Sequence, residues 1–460
     1  MSDKPISWFG YVSSTTHAAA KRIVAQSTFD YLFLCLKPLT FFMEMAPSNA
    51  WFSTARRSCR GAAMIAAVLT IGTAARAESV LAETSAAATQ RMDDALKAAG
   101  VTSVAAAITS PLQWANIGLR PHFSYRYLYG DGIRSGPARA EKTSVHTVSP
   151  GMAFEIGSRW TADYTASKTF YSSDAFRDRL DHSARLSGAT SYGDLSLSAD
   201  YRFSDTETPL AETAEQTRQR THQASLSAGY SLGSRTGLTS SISYSTRSAV
   251  RSTPGYEEWS FVEGLQYQVT PTVRAGINAG FGFVYLEEGA DMSYVRPQAT
   301  VNWQATDKVS LGAAAGWEER SFDDSDQANR GTPTYTGSLA YRPFETTTLV
   351  LTGSRGVSVS FFRDQITENQ SWSLSLQQRL LGYLNLGVTY SWRTVDFEAT
   401  QAGLAVSRSD DGNTLSVSLS TRIFERGSIG IRYQTSNYDS NTAAFAYDSD
   451  QYGAEFSYRF

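Results

Sequence analysis

Apolar and polar side chains alternate with a period of two along most of the chain from about residue 119 onward. The alternation is clear at 195–203, 273–283, 384–393 and 415–420, where Leu, Val, Ala and aromatic residues take one parity and mostly Ser, Gly, Asn and Arg take the other. Such dyad segments of about ten residues are typical of transmembrane β-strands, whereas soluble strands average about five or six residues. The pattern therefore predicts strands with lipid on one side and water on the other.

The predicted connections between strands alternate between short turns and long polar loops. Examples are the turns at 191–194, 270–272 and 425–427 and the loops at 130–142, 205–218, 398–412 and 437–450. Short periplasmic turns and longer extracellular loops characterise outer-membrane barrels. We count about 18 strands (16–18), with both ends on the periplasmic side. Because a sheet in lipid cannot leave its edges unpaired, we expect an all-β fold: a closed antiparallel transmembrane β-barrel over residues 115–460.

The C-terminus carries an alternating aromatic motif. Tyr452, Phe456, Tyr458 and Phe460 share one parity with Ala454, and Phe460 is the last residue. Here the sequence resembles bacterial outer-membrane proteins as a class. That resemblance implies that these residues form an assembly signal read by the barrel assembly machinery. It also implies a location in the outer membrane of a Gram-negative bacterium, with outer-membrane lipid and lipopolysaccharide as neighbours.

Residues 45–77 have the layout of a secretory signal peptide. Arg56, Arg57 and Arg60 precede the mostly apolar stretch 61–74, and Ala75-Arg76-Ala77 forms a small-x-small cleavage site. The stretch is too short for the roughly 20-residue span of a transmembrane helix. Residues 1–44 are then either a gene-start overcall, with the true start at Met43 or Met45, or an extended leader.

Residues 78–114 are rich in Ala and precede the barrel. Leu81, Ala88, Met92 and Leu96 recur at helical spacing, and Gly100 is a plausible stop for a helix. We expect either a short periplasmic helix or a linker. The segment is too short for the plug domain of a TonB-dependent transporter.

Composition fits this fold and narrows the chemistry. Charged residues make up 18% of the chain, aromatic residues 12%, and the mean hydropathy is −0.29, which is too polar for a helical membrane protein. The net charge of −3 gives no reason to expect a nucleic-acid partner. Cys35 and Cys59 both precede the cleavage site, so the mature chain is expected to lack disulfides and thiolate metal sites. No catalytic constellation stands out, and we expect neither an enzyme nor a metal or cofactor site.

The inward parity of the predicted strands carries many arginines. They are Arg126, Arg185, Arg202, Arg274, Arg296, Arg320, Arg342, Arg393, Arg422, Arg432 and Arg459. Against these eleven cations we count six inward acids, Glu155, Asp163, Asp200, Glu258, Glu318 and Glu455. An excess of about five positive charges favours anions and anionic sugars in the lumen. The alternative interpretation is that the arginines pair with the acids and stiffen the wall.

One residue conflicts with the alternation. Glu263 shares its parity with Trp259, Phe261 and Leu265, which places a carboxylate among lipid-facing side chains. A β-bulge, or a position near the outer rim, would reconcile Glu263 with the barrel.

Three functions are compatible with these features. The first is a porin-like channel with an Arg-rich lumen for passive passage of small hydrophilic solutes, anionic or sugar-like. The layout of signal, Ala-rich lead and Ser/Tyr-rich barrel ending in Phe460 resembles the family called β-barrel porin type 2, some members of which are associated with exopolysaccharide export. That resemblance implies the second, an export conduit that works with a periplasmic partner. The third is a non-conducting structural or adhesive barrel.

Overall fold

The computed structural model describes residues 112–114, 117–249, 253–323, 326–404 and 406–460. The predicted leader, the signal peptide with its cleavage site at Ala75 and Ala77, and residues 78–111 lie outside the described residues. Within the described parts of the chain, no helix is both long and apolar enough to cross a membrane.

The described chain is almost entirely β-strand. The first ten strands are β1 (Leu112–Trp114), β2 (Ile117–Gly136), β3 (Arg139–Ile156), β4 (Trp160–Tyr171), β5 (Arg179–Tyr192), β6 (Leu195–Pro209), β7 (Gln216–Ser231), β8 (Thr236–Ala249), β9 (Tyr256–Thr270) and β10 (Val273–Leu286). The remaining strands are β11 (Met292–Thr306), β12 (Val309–Phe322), β13 (Arg330–Phe344), β14 (Thr347–Val359), β15 (Gln365–Leu380), β16 (Leu384–Ala399), β17 (Ser409–Ile423), β18 (Gly427–Ser440) and β19 (Tyr447–Arg459). A 3₁₀ turn, Ala443–Phe445, precedes β19.

Strands β2–β19 form one closed antiparallel barrel. Each strand pairs with its neighbours in the chain, and β19 pairs with β2 from Asp450↔Asp131 to Arg459↔His122. The prediction of a closed barrel of about 18 strands is confirmed. Closure satisfies the hydrogen bonds that an open sheet would leave unpaired in lipid.

The structure describes only residues 112–114 of the segment 78–114, for which we expect a helix or a linker. These three residues form β1, which folds back and pairs with the start of β2 from Leu112↔Leu119 to Trp114↔Ile117. The strand forms there because β19 pairs with β2 only as far as His122. The edge of β2 before His122 would otherwise have backbone N–H and C=O groups without a partner strand.

Several of the predicted extracellular loops are shorter in the structure than the sequence pattern indicates. The loop expected at 130–142 is only a two-residue connection, because β2 continues to Gly136 and β3 begins at Arg139. Likewise β6 extends to Pro209 and β7 begins at Gln216. Polar residues end the membrane-facing alternation at these points but do not end backbone pairing, so the strands continue past the expected lipid boundary.

The outer surface of the barrel is strongly apolar. Ile277 and Ile431 are 64% and 60% exposed, and Phe281 and Trp303 also lie open on the surface. Exposed apolar surface on this scale is unusual for a soluble monomer, whereas it suits contact with hydrocarbon. The closed barrel and its apolar outer face therefore make this a transmembrane β-barrel of the outer membrane.

Glu263 lies on that outer face, in the middle of β9. It pairs directly with Ser240 on β8 and Ala279 on β10, and the register of β9 with β10 shifts only near Val273 at the periplasmic end. Neither a bulge nor a rim position accounts for it, so both expected explanations are wrong. The Ser240 hydroxyl donates to the Glu263 carboxylate at 2.6 Å, which meets part of its hydrogen-bonding need.

Replacing Glu263 with Leu is expected to stabilise the barrel. A charged side chain on the lipid face at mid-membrane depth costs about 2–4 kcal/mol for Arg or Lys and less for Glu, so we expect a gain of about 1–2 kcal/mol. Guanidinium unfolding in phospholipid vesicles measures this free energy. The control is Glu455→Leu, which removes a lumen-facing carboxylate and should not stabilise. A loss of stability in Glu263→Leu would show that this carboxylate has a favourable partner.

Candidate functional site

The lumen is the polar face of the barrel wall. Directly paired residues on neighbouring strands share a face, so the register can be followed around the barrel. All eleven predicted arginines fall on one face by this criterion. The same face carries Arg247 of β8, which contacts Ser360 beyond the end of β14. Only the interior allows side chains of strands so far apart to meet, so this face lines the lumen.

Five of the predicted arginines pair with acids on the same face. Their ion pairs are Arg126–Glu455 at 3.2 Å, Arg185–Asp200 and Arg202–Asp200 at 2.8 Å each, Arg296–Glu318 at 2.8 Å and Arg320–Glu318 at 2.7 Å. Asp200 and Glu318 are each shared by two arginines. These ion pairs link neighbouring strands of the wall. Because Asp200 and Glu318 each have two arginine partners, each of these two clusters carries a net positive charge.

The other predicted arginines have different surroundings. Arg393 donates to the Asn369 amide, Arg274 to Gln268 at 3.2 Å and Arg432 to Ser416 at 3.2 Å. Arg342, Arg422 and Arg459 lie near the periplasmic ends of β13, β17 and β19, far along their strands from the extracellular mouth. The structure therefore distributes the predicted set over the whole height of the lumen and does not gather it into one site.

The upper part of β14–β16 folds into the lumen. Strand β14 pairs with β13 only as far as Tyr335↔Arg355, while β14, β15 and β16 stay paired with one another up to their extracellular ends. On the extracellular side of Arg355, the three-stranded sheet β14–β16 is therefore not paired with β13, and it inclines into the lumen. We call the segment Gly356–Thr367, at the end of β14 and the start of β15, the inserted hairpin.

One face of the inserted hairpin packs on the inner wall of β10–β12. Ile366 is fully buried against Val284, Met292, Tyr294 and Phe322. Val357 and Val359 pack on the same cluster. Ile366, Val357 and Val359 have the parity that faces lipid nearer the periplasmic ends of β14 and β15. Because the sheet inclines inward here, these apolar side chains form a small core inside the barrel and do not contact lipid. Burying these side chains stabilises the inserted position by the hydrophobic effect, at about 25 cal/mol per Å².

Charged groups anchor the base of the inserted hairpin. Glu368 accepts from Arg330 Nη2 at 2.8 Å, from Arg355 Nη2 at 3.0 Å and from the Thr332 hydroxyl at 2.9 Å. Arg330 also pairs with Glu398 of β16 at 2.8 Å. Because Arg355, Glu368 and Glu398 share the outward parity of their strands, they would face lipid if this sheet stood upright.

The tip of the inserted hairpin is fastened to the opposite side of the mouth. Arg247 donates to the Ser360 carbonyl oxygen at 2.8 Å, and its guanidinium carbon lies 3.8 Å from the centre of the Phe361 ring. Glu212, in the connection between β6 and β7, accepts from the Ser360 hydroxyl and from the Phe361 backbone N–H at 2.6 Å. We call Glu212, Arg247, Ser360 and Phe361 the latch.

A second group of contacts ties the latch to the rest of the mouth. Arg408, between β16 and β17, donates to the Glu212 carbonyl oxygen at 2.8 Å and lies 3.4 Å from the centre of the Phe445 ring. It also lies over Phe397, 4.4 Å from its ring centre. Arg134 of β2 donates to the Phe445 carbonyl oxygen at 2.7 Å. Residues from widely separated strands thus meet across the extracellular opening.

A cavity of about 550 Å³ lies beside the inserted hairpin. Its lining combines charged, hydroxyl, amide and aromatic side chains: Glu212, Arg247, Tyr256, Glu258, Val357, Ser358, Val359, Phe361, Thr367, Asn369, Ser371 and Arg393. A few polar groups converging in a concave pocket of this size are typical of small-molecule sites. This constriction is the candidate functional site.

Sequence reasoning identified only Arg393 and Glu258 of this site. Arg247 could have been found, because it shares the inward parity of Ser243 and Ser245. Glu212 and Phe361 lie in connections, where the two-residue alternation carries no information. Outside the site, Arg120 and His122 were not among the predicted residues. Arg120 pairs with Glu155 at 2.7 Å, and His122 contacts Asp163 at 3.1 Å.

Comparison with known proteins gives structural resemblance alone. No protein-family model matches the chain, and no curated protein matches it. Among solved structures, OpdO of Pseudomonas aeruginosa matches with 12% identity and a TM-score of 0.41, over 74% of this chain and 97% of its own. OccAB4 of Acinetobacter baumannii matches with 14% identity and a TM-score of 0.42, over 74% and 98%. OccK2 (OpdF) of P. aeruginosa, solved in complex with glucuronate, matches with 13% identity and a TM-score of 0.42, over 74% and 98%. Values of this size do not establish a common family.

Proposed function

We propose that this protein is a porin-like channel whose extracellular mouth is narrowed by the inserted hairpin. The observation that carries the proposal is the latched hairpin beside a polar cavity, within a barrel of a size that otherwise encloses an aqueous channel. A hairpin of this kind restricts passage to small solutes and brings charged groups close to them. The channel would work passively, by diffusion through the constriction.

The solutes we propose are small, hydrophilic, and anionic or sugar-like. Supporting this, four arginines reach into the lumen around two acids: Arg185 and Arg202 flank Asp200, and Arg126 pairs with Glu455 one strand away from Arg432. The side chains of Arg126, Arg185 and Arg202 are each at least half exposed. Two cations for each acid leave this wall positive, which favours anions.

Replacing Arg185 and Arg202 with Ser is expected to weaken anion preference. The measurement is the reversal potential of single channels in a planar bilayer under a salt gradient. Arg218 and Arg220 provide a matched control, because they flank Asp205 in the same way on the outer face of β7, so replacing them with Ser changes the net charge equally. A reversal potential that shifts equally in both double variants, or in neither, would show that the lumen cations do not set selectivity.

The latch also favours one alternative, a non-conducting structural or adhesive barrel. A mouth closed by Arg247, Glu212 and the aromatic contacts of Arg408 could seal the lumen completely. Absence of conductance in the wild-type protein at all voltages would support this alternative. An export conduit for a polysaccharide would require the inserted hairpin to leave the mouth, and no contact among the residues that the structure describes favours that.

A further inference from the structure

The outer wall from β2 to β7 carries a feature repeated in three successive hairpins. In each, a Tyr hydroxyl on the first strand meets the Nδ1 atom of a His on the second. The pairs are Tyr125 and His146 at 2.9 Å, Tyr164 and His182 at 2.8 Å, and Tyr201 and His222 at 2.9 Å. We call these six residues the tyrosine–histidine face. The three histidines lie on alternate strands, about 10 Å apart, which is twice the spacing of neighbouring strands.

The register places these residues on the lipid-facing side. His222 pairs with Phe203 and continues the outward row of Ala224 and Leu226 on its own strand. Each histidine lies in the half of its strand nearer the end of the barrel at which most connections are longer, which is the extracellular end. The tyrosine–histidine face therefore meets the outer leaflet.

Each pair keeps one hydrogen-bond donor that the protein does not use. If the Tyr donates to Nδ1, the neutral imidazole carries its proton on Nε2; if Nδ1 donates, the Tyr O–H remains. No side chain in the described parts of the chain accepts from His146, His182 or His222 through Nε2. An unpaired donor in hydrocarbon costs several kcal/mol. Three such donors in a row indicate that the surrounding lipid supplies acceptors.

Cations lie above the histidines on the same face, nearer the extracellular side. Lys168 extends over the Phe170 ring at 5.4 Å and has no acidic partner among the described residues. Arg220 shares the single carboxylate of Asp205 with Arg218, at 2.9 Å and 2.8 Å. Donors with surplus positive charge above them fit an acceptor that is itself negative. Phosphate oxygens meet both conditions.

We propose that the tyrosine–histidine face, with Lys168 and Arg220, binds the phosphorylated glucosamine headgroup of lipopolysaccharide. The spare donors of the histidines and tyrosines supply hydrogen bonds to the phosphate oxygens, and Lys168 and Arg220 supply the opposite charge. The row would hold lipid in a fixed position along six strands of the wall. This site is on the outside of the barrel and is independent of solute passage.

The test compares lipid retention by the full chain purified in detergent. The protein is incubated with equal amounts of bisphosphorylated and dephosphorylated lipid A, and the bound lipid is counted by native mass spectrometry. We expect the wild type to retain the bisphosphorylated form preferentially. In the triple variant His146→Phe, His182→Phe, His222→Phe, the amount of bisphosphorylated lipid retained should fall by about tenfold or more. The reason is that each hydrogen bond to a charged group is worth about 1.5–3 kcal/mol.

The matched control removes the same number of polar groups from the outer face elsewhere. Tyr244→Phe, Tyr285→Phe and Tyr335→Phe alter β8, β10 and β13 and should leave retention unchanged. Equal retention of the two lipids by the wild type, or an equal loss in both triple variants, would overturn the proposal. If the histidine variant does not fold, as judged by heat-dependent electrophoretic mobility, Lys168→Gln with Arg220→Gln takes its place, and unchanged preference for phosphate in that variant overturns it too.

Discussion

Removing the tip of the inserted hairpin is expected to raise single-channel conductance several-fold. The variant replaces Ser358–Thr367 with Asn-Gly, which joins the paired residues Val357 and Glu368 through a two-residue turn. It deletes both latch residues of the hairpin, Ser360 and Phe361, and keeps the charged base at Glu368. Without the tip, the lumen should approach the open cross-section of an 18-stranded barrel, which is wide enough for an aqueous channel. Planar-bilayer recording measures the change.

Two further variants make this experiment specific. Arg247→Ala keeps the hairpin but removes the hydrogen bond to Ser360 and the contact with Phe361, so it should give an intermediate conductance or more frequent opening. Lys142→Ala breaks an exposed ion pair with Asp131 that does not touch the hairpin, so it should leave the single-channel conductance unchanged. If the shortened channel conducts no better than the wild type, the constriction lies elsewhere in the lumen.

Replacing Glu318 with Ala is expected to cost about 3–5 kcal/mol of stability, as is usual when one partner of a buried ion pair is removed. The Glu318 side chain is fully buried, and its two oxygens pair with Arg296 and Arg320. Arg320 is itself only 4% exposed, so it would remain buried without a counter-charge. Since Arg320 also lies 5.0 Å from the centre of the Tyr294 ring, the packing under the inserted hairpin should loosen as well.

The free energy of unfolding in vesicles, measured with guanidinium, checks this prediction. The double variant Glu318→Leu with Arg320→Met removes both buried charges and should recover most of the loss, because an apolar replacement of a buried pair is often neutral. Glu455→Ala is the exposed counterpart and should cost no more than about 1 kcal/mol. A loss below 1 kcal/mol in Glu318→Ala would mean that water reaches this pair.

The barrel itself could be predicted because its determinants are local. The two-residue alternation assigns each side chain to lipid or lumen, and irregular register occurs near strand ends, as at Val273 and Tyr341. Arg126 and Arg432 therefore keep the face that their parity predicts. The same alternation does not indicate which acid lies across the strand, so the ion pairs of Arg185 and Arg202 with Asp200 could not be foreseen.

The inserted hairpin was missed although the sequence carried a sign of it. Arg355, Glu368 and Glu398 have outward parity on three adjacent strands, and a row of charges cannot face hydrocarbon. That conflict predicts a departure from the barrel wall, as the structure shows. The latch had no such sign, since Glu212 and Phe361 come from connections and meet only through the tertiary fold.

The seam between β19 and β2 determines when the barrel can close. Residues joined across it are far apart in the chain: Arg126 and Glu455 are separated by 329 positions. Until the final strand is in place, β2 has an unpaired edge that can pair with other chains. Pairing over such long separations is also slow. Closure of the barrel is therefore expected to be the last step of its folding, since only this seam has to wait for β19.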